Sequence, residues 1–157
     1  MTTGSNTAPD WRFDGVKGGT HAAADFAGKA VLVVNTASLC GYTPQYGAMQ
    51  TLQDTYKDRL VVLAVPSDDF HQEQPDNDAV AAFCETGFGL TLPITAITHV
   101  TGPDAHPLYA WLRDSIGFVP QWNFDKVLIA PDGSVAGTWR SADLPMGGAL
   151  EAAVRSL

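Results

Sequence analysis

Only two cysteines, Cys40 and Cys84, stand among the 157 residues. They cannot form a CxxC pair, because 43 residues lie between them, and two thiols with four scattered histidines make no zinc-binding pattern. Positive charge is scarce as well: 9 Lys and Arg against 17 Asp and Glu leave a formal net charge of −8. Without a basic cluster, nucleic acid and anionic membrane surfaces are excluded as partners. No apolar run approaches the roughly 18 residues that an integral membrane segment needs. The polar opening, Met1 to Asp10, lacks the basic and apolar regions of a secretory signal. A cytoplasmic, reducing location is therefore expected. There a cysteine pair more often does redox or catalytic work than staples a fold.

What is present reads as a globular chain. Hydrophobic residues make up 45% and charged residues 17%, enough for one domain with a sizeable core. Residues 1–10 are expected to be a flexible N-terminal tail, and residues 11–157 a single domain.

The densest stretch runs from Asn35 to Tyr46, with sequence NTASLCGYTPQY. It follows Val31–Val34, a non-alternating apolar run that reads as a strand buried on both faces. Thr43 and Pro44 read as an N-cap with proline at the first helical position. Cys40 is thus expected between a strand's carboxyl end and a helix's amino end. Free N–H groups and the helix dipole favour an anion there, and a thiolate is one.

The remaining elements follow in order. A short extended opening with a glycine turn at Gly18-Gly19 precedes the first core strand. A helix over about Pro44 to Asp58 places Tyr46, Met49, Leu52 and Tyr56 on one face. Leu60–Val65 is a second buried strand. A polar loop, Ser67 to Asn77, leads to a helix carrying Val80 and Phe83 that ends near Gly87 or Gly89, so Cys84 lies on a helix. A third strand is expected over about Ile94 to Thr101. Another helix opens at Asp104 to Pro107, with Leu108, Trp111 and Leu112 inward. Lys126–Ala130 and Ser134–Trp139 flank Pro131-Asp132-Gly133 as a hairpin. A last helix is expected from about Met146 to Leu157, presenting Leu150, Val154 and Leu157. This order makes an α/β chain resembling the thioredoxin-like fold, a central mixed sheet flanked by helices on both faces.

Three motifs then carry a family resemblance. Asn35 to Tyr46 resembles the peroxidatic signature of the glutathione peroxidase family, and Trp122-Asn123-Phe124-Asp125-Lys126 its second signature. Val65 to Phe70 occupies the place of the third block, and Ala105 to Tyr109 also fits. The resemblance implies that Cys40 is the peroxidatic thiolate, helped by Trp122, Asn123 and a glutamine from the third block. The family usually reads Phe-Gly-x-Gln-Glu-Pro-Gly there. This chain reads Phe70-His71-Gln72-Glu73-Gln74-Pro75-Asp76, so a one-residue deletion puts Gln72 in the catalytic place, whereas ungapped alignment puts Glu73 there. Gln72 is preferred, because a carboxylate beside the sulfur would raise the thiol pKa. Phe83 to Pro93 resembles the segment with the resolving cysteine of two-cysteine members, which makes Cys84 the resolving partner.

The implied activity is reduction of hydrogen peroxide and of organic or lipid hydroperoxides. Cys40 becomes a sulfenic acid, Cys84 closes a disulfide on it, and thioredoxin, or else glutathione, returns the electrons. No metal or cofactor is implied. The alternative is a peroxide sensor that passes the Cys40–Cys84 disulfide to a partner protein. An isolated cysteine is by default an inert buried hydrophobe, and for Cys84 beside Phe83 that reading stays open. Closure across 43 residues implies local rearrangement of the Cys84 helix. Only nine residues separate Leu112 from Trp122, where tetrameric relatives carry an insertion, so a monomer is expected. His21, His71, His99 and His106 read as surface or capping residues, and Lys126 and Arg140 as surface charges.

Overall fold

The computed structural model describes residues 7–157. Strands β1 (Arg12–Asp14) and β2 (Thr20–Ala22) form an antiparallel hairpin. The main sheet among the described residues holds β3 (Ala30–Thr36), β4 (Leu60–Pro66), β5 (Lys126–Ile129) and β6 (Val135–Trp139), in the order β4-β3-β5-β6. β3 runs parallel to β4 and antiparallel to β5, and β5 is antiparallel to β6.

All seven residues of β3 and of β4 are buried, as their unbroken apolar sequences predict for strands covered on both faces. Alternate residues of β3 serve different layers. Leu32 and Val34 pack with Tyr46, Met49 and Leu52 of helix α1 (Gln45–Thr55) and with Leu150 and Val154 of helix α4 (Ala149–Arg155). Val31 and Val33 pack with Leu108, Tyr109 and Leu112 of helix α3 (Pro107–Ile116), under Trp11 and Phe13 of the opening segment. Truncating a side chain such as the fully buried Met49 to alanine costs about 2–5 kcal/mol.

Several local expectations change. Helix α1 begins at Gln45, and Thr43 does not cap it: the Thr43 hydroxyl accepts from Cys40 N at 2.9 Å and donates to Ala37 O at 2.9 Å. The helix ends at Thr55, leaving Tyr56 half-buried, with its hydroxyl on Glu151. No strand spans Ile94 to Thr101. Ile94 makes a single bridge to Ala64 and Thr95 one to Gly15; beyond them the N–H groups find scattered partners. Ala96 N donates to Asp14 O, Ile97 N to Asn77 Oδ1, and Val100 and Thr101 N to Asp69 Oδ2. With those donors taken by side chains and by β1, no ladder remains to form. The last helix starts at Ala149, because Gly147 is left-handed at φ 88° and Gly148 extended; Leu157 lies past its end and is exposed. Helix α3 opens as expected, with Pro107 in its first turn and His106 Nδ1 accepting from Leu108 N.

The first residues described are held down. Thr7 bridges Ser134 and Ala8 N donates to Gly133 O at 2.7 Å, so the tail expected over residues 1–10 is docked from Thr7; residues 1–6 lie outside the described part.

Candidate active site

Cys40 sits four residues beyond the carboxyl end of β3, 9% exposed, in the turn leading to α1. Its loop is held from two sides. Thr43 grips it locally, and the segment after Phe70 grips it from outside: Leu39 N donates to Gln72 O at 2.8 Å and Ser38 N to Glu73 Oε1 at 3.1 Å. Tyr42 N lies 3.4 Å from Cys40 Sγ and donates to it. This is the backbone N–H contribution expected of a turn at a helix's amino end.

Gln72 and Asn123 meet. Asn123 Nδ2 donates to Gln72 Oε1 at 3.0 Å, a bond that uses the acceptor of the Gln72 carboxamide and leaves its NH2 as a donor. Glu73 has a different environment. It is buried, its carboxylate accepts from Ser38 N and Gln74 N, and burial raises its pKa against those bonds. Trp122 is 37% exposed and packs its ring on Phe70, with centroids 5.4 Å apart. Leu39 and Tyr42 are exposed on the same turn as Cys40 and put apolar surface next to it in the chain.

The Trp122-Asn123 turn is built by residues that the motif comparison did not single out for a role. Asn35, at the end of β3, donates its side-chain amide to Trp122 O at 2.9 Å and accepts from Phe124 N at 2.6 Å. Asp125, 1% exposed, accepts from Gln121 N, from Arg140 and from the Ser141 hydroxyl, and that hydroxyl also donates to Asn123 O. Among the described residues, the non-glycine positions with left-handed backbone are His71 (φ 60°) and Phe124 (φ 66°), one beside Gln72 and the other beside Asn123. Held strain of this kind gathers at functional sites.

Two charges read as superficial are corrected. Lys126 is fully buried, its ammonium spent on backbone carbonyls. Arg140 is half-exposed, but it pairs with buried Asp125 and lies over the Phe118 ring. A lysine opening an apolar strand, preceded by Asp125, was the available sequence signal; the acceptors that make its burial tolerable come from Phe124 and from the distant residues 140 and 141.

Cys84 lies on the same side of the sheet, in the apolar cluster that includes Cys40. It is fully buried, and both thiols are free. Helix α2 (Asn77–Ala82) runs into a π-helical turn, Phe83–Gly87, that carries it. Such wide turns are uncommon and recur at functional sites. Burial pushes the Cys84 thiol up to about 11, with Glu73 and Glu85 adding to the rise and the Tyr46 hydroxyl opposing it. Among the described residues, no His, Cys, Asp or Glu cluster is arranged to hold a metal ion, and no helix is long and apolar enough to cross a membrane.

Residues 11–113 match the glutathione peroxidase family. The chain belongs to that family. It is 39% identical over 137 residues to the glutathione peroxidase homolog BsaA of Halalkalibacterium halodurans, covering 83% of this chain and 87% of that one. It is 37% identical over 153 residues to the hydroperoxy fatty acid reductase gpx1 of Synechocystis sp., covering 90% of each. It is also 40% identical over 127 residues to the glutathione peroxidase-like peroxiredoxin GPX5 of Chlamydomonas reinhardtii, covering 77% and 78%. The crystal structure of Trgpx in apo form superposes with a TM-score of 0.71 at 31% identity, over 93% of this chain and 91% of that one. A thiol:disulfide interchange protein from Chlorobium tepidum, at 18% identity and a TM-score of 0.70, shares the fold over 99% and 98%. The family fold is therefore thioredoxin-like, and the enzyme is a thiol peroxidase that consumes a peroxide and a thiol reductant.

Proposed function

We propose that the protein is a two-cysteine hydroperoxide reductase. The observation that carries this reading is the arrangement around Cys40: a thiol at the strand-to-helix turn, an N–H on its sulfur, and the hydrogen-bonded Gln72–Asn123 pair on the loops beside it. In the first step the Cys40 thiolate attacks the terminal peroxide oxygen. The O–O bond breaks, Cys40 becomes a sulfenic acid, and the departing alkoxide or hydroxide takes a proton and leaves as alcohol or water. Tyr42 N–H stabilises the thiolate, and the donors of Gln72, Asn123 and Trp122 assist at the reacting oxygens.

In the second step the Cys84 thiol condenses with the Cys40 sulfenic acid, forming the disulfide and releasing water. Buried and held well above the usual thiol range, Cys84 reacts only after its π-helical turn opens. Thioredoxin then reduces the disulfide by exchange. The scarcity of basic residues supports this reductant over glutathione, whose carboxylates need cationic partners. The exposed Leu39 and Tyr42 of the Cys40 turn, and the Phe70–Trp122 ring pair on the loops that carry Gln72 and Asn123, support bulky organic and fatty-acid hydroperoxides as substrates beside hydrogen peroxide. The named activity of the Synechocystis relative is consistent with that class. A cytoplasmic monomer fits the same reading.

The test is NADPH oxidation with thioredoxin, thioredoxin reductase and a hydroperoxide, repeated with glutathione and its reductase. Sustained turnover in the first assay is expected, and its loss in the Cys40→Ser variant. Turnover with glutathione alone would replace the reductant. One stoichiometric oxidation without recycling would make the chain a sensor rather than a reductase.

A further inference from the structure

Lys126 is a charge in the wrong place for an ordinary lysine. Its side chain is fully buried, and Nζ donates to Phe124 O at 2.7 Å, Arg140 O at 3.2 Å and Ser141 O at 3.3 Å. Those three bonds use all three donors of an ammonium, and each acceptor is a neutral carbonyl. Asp125 is the adjacent carboxylate, but it is engaged by Arg140, Ser141 and Gln121 N; Asp143, on the loop after β6, is the other carboxylate facing the ammonium. Burial of an ammonium without a dedicated counter-ion is costly. The fold retains it, and what it touches indicates why.

Phe124 O belongs to a residue held in the left-handed region at φ 66°, directly after Asn123. Ser141, another acceptor, sends its own hydroxyl to Asn123 O at 2.6 Å. The ammonium therefore joins the strained side of the Trp122-Asn123 turn to the segment that braces it. A neutral amine would present two N–H donors and a lone pair to three carbonyl oxygens, so at least one bond would become a repulsion.

We propose that Lys126 is a positioning residue for peroxide reduction: its buried ammonium, fixed to the carbonyls of Phe124, Arg140 and Ser141, holds the left-handed turn that presents Asn123 to Gln72. This rests on the reading that Gln72 and Asn123 serve the Cys40 sulfur. Burial draws the lysine down to about 8, with Asp125 and Asp143 opposing, so the holding charge predominates at neutral pH and fades in mild alkali.

The test is stopped-flow oxidation of reduced protein by hydrogen peroxide, followed through tryptophan fluorescence, for the wild type, Lys126→Met and Asn123→Ala. Lys126→Met, shown folded by circular dichroism, should oxidise about 10–100-fold more slowly, the range for a lost hydrogen bond to a charged group. Reduction of its preformed disulfide by thioredoxin should stay at the wild-type rate. A folded Lys126→Met that oxidises at the wild-type rate, while Asn123→Ala is slow, overturns this proposal alone. An unimpaired Asn123→Ala removes the underlying reading, and the proposal with it. Should Lys126→Met not fold, the wild type decides: its Asn123 side-chain NH2 resonances should shift as pH is raised through the lysine's titration, and invariant resonances overturn the proposal.

Discussion

The side-chain amide of Asn123 donates to the carboxamide oxygen of Gln72 at 3.0 Å, joining loops 51 positions apart in the chain. Each loop reaches the other from a backbone held at positive φ, at His71 on one side and Phe124 on the other. The bond orients Gln72 without consuming its NH2 donors. It also separates Gln72 from its neighbour: Glu73 turns inward to bind Ser38 N, while Gln72 stays half-exposed beside the Cys40 loop.

Gln72→Ala should slow Cys40 oxidation by roughly 10–100-fold, since a hydrogen bond to a charged or charging group contributes about 1.5–3 kcal/mol. Stability should change little, because the side chain is only half-buried. Stopped-flow oxidation beside a urea melt separates the two effects. Wild-type oxidation kinetics in a folded variant would remove Gln72 from the site.

The two thiols should differ sharply in reactivity. Cys84 is fully buried and its pKa is pushed up to about 11, chiefly by burial. Iodoacetamide at neutral pH should therefore alkylate Cys40 and spare Cys84 in the reduced native protein. Mass spectrometry of the digested protein reads the sites, and equal labelling would contradict the buried state. Cys84→Ser should still consume one equivalent of peroxide but fail to recycle with thioredoxin; normal cycling would remove its resolving role.

Glu73 carries a pH signature of defined sign. Burial is the leading influence and raises its pKa above the ordinary 4.5, so the folded state holds that proton more tightly than the unfolded chain. Its contribution to stability is complete below the ordinary value and is lost as pH rises through the folded one. Glu73→Gln keeps an oxygen for Ser38 N and abolishes the titration. The variant should match or exceed wild-type stability near pH 7.5, with the comparison moving toward the wild type near pH 4.5. Urea melts at both values test it. A neutral-pH loss of more than about 1 kcal/mol would show that the carboxylate's hydrogen bonds outweigh its burial.

Asp69 and His99 pin the loop that replaces the expected third strand. Burial would raise the Asp69 pKa, but His99 at 2.7 Å and the Val100 and Thr101 N–H groups more than offset it, and the value is lowered; Asp69 in turn raises His99. The Asp69 contribution is present above the ordinary 3.8 and lost as pH falls through the lowered value. The His99 contribution is present below the ordinary 6.5 and lost as pH rises through the raised one. The pair is therefore strongest between those limits. Because His99 is exposed, its ion-pair share should be no more than about 1 kcal/mol. Melting temperatures of wild type and His99→Ala should differ most near pH 5.5 and converge near pH 8.5. A constant difference would show that charge plays no part.

The sequence by itself determined a good deal here. The unbroken runs Val31–Val34 and Leu60–Val65 have few ways to exclude water other than as central strands, and they became β3 and β4. The motif around Cys40 and the Trp122-Asn123 dipeptide were legible because local order and spacing identify them. Tertiary structure decided what depends on distant partners. Ile94 to Thr101 has strand-like composition, yet Asp14, Asn77 and Asp69 take its N–H groups. Thr43 turned from a helix cap into a clasp on Cys40, because its hydroxyl accepts from Cys40 N and donates to Ala37 O. Lys126 went inside because three carbonyls converge on one point, and Gln72 found Asn123 because two loops end at the same edge of the sheet. Periodicity records which side of an element is apolar; it does not record which polar groups meet when the elements are packed.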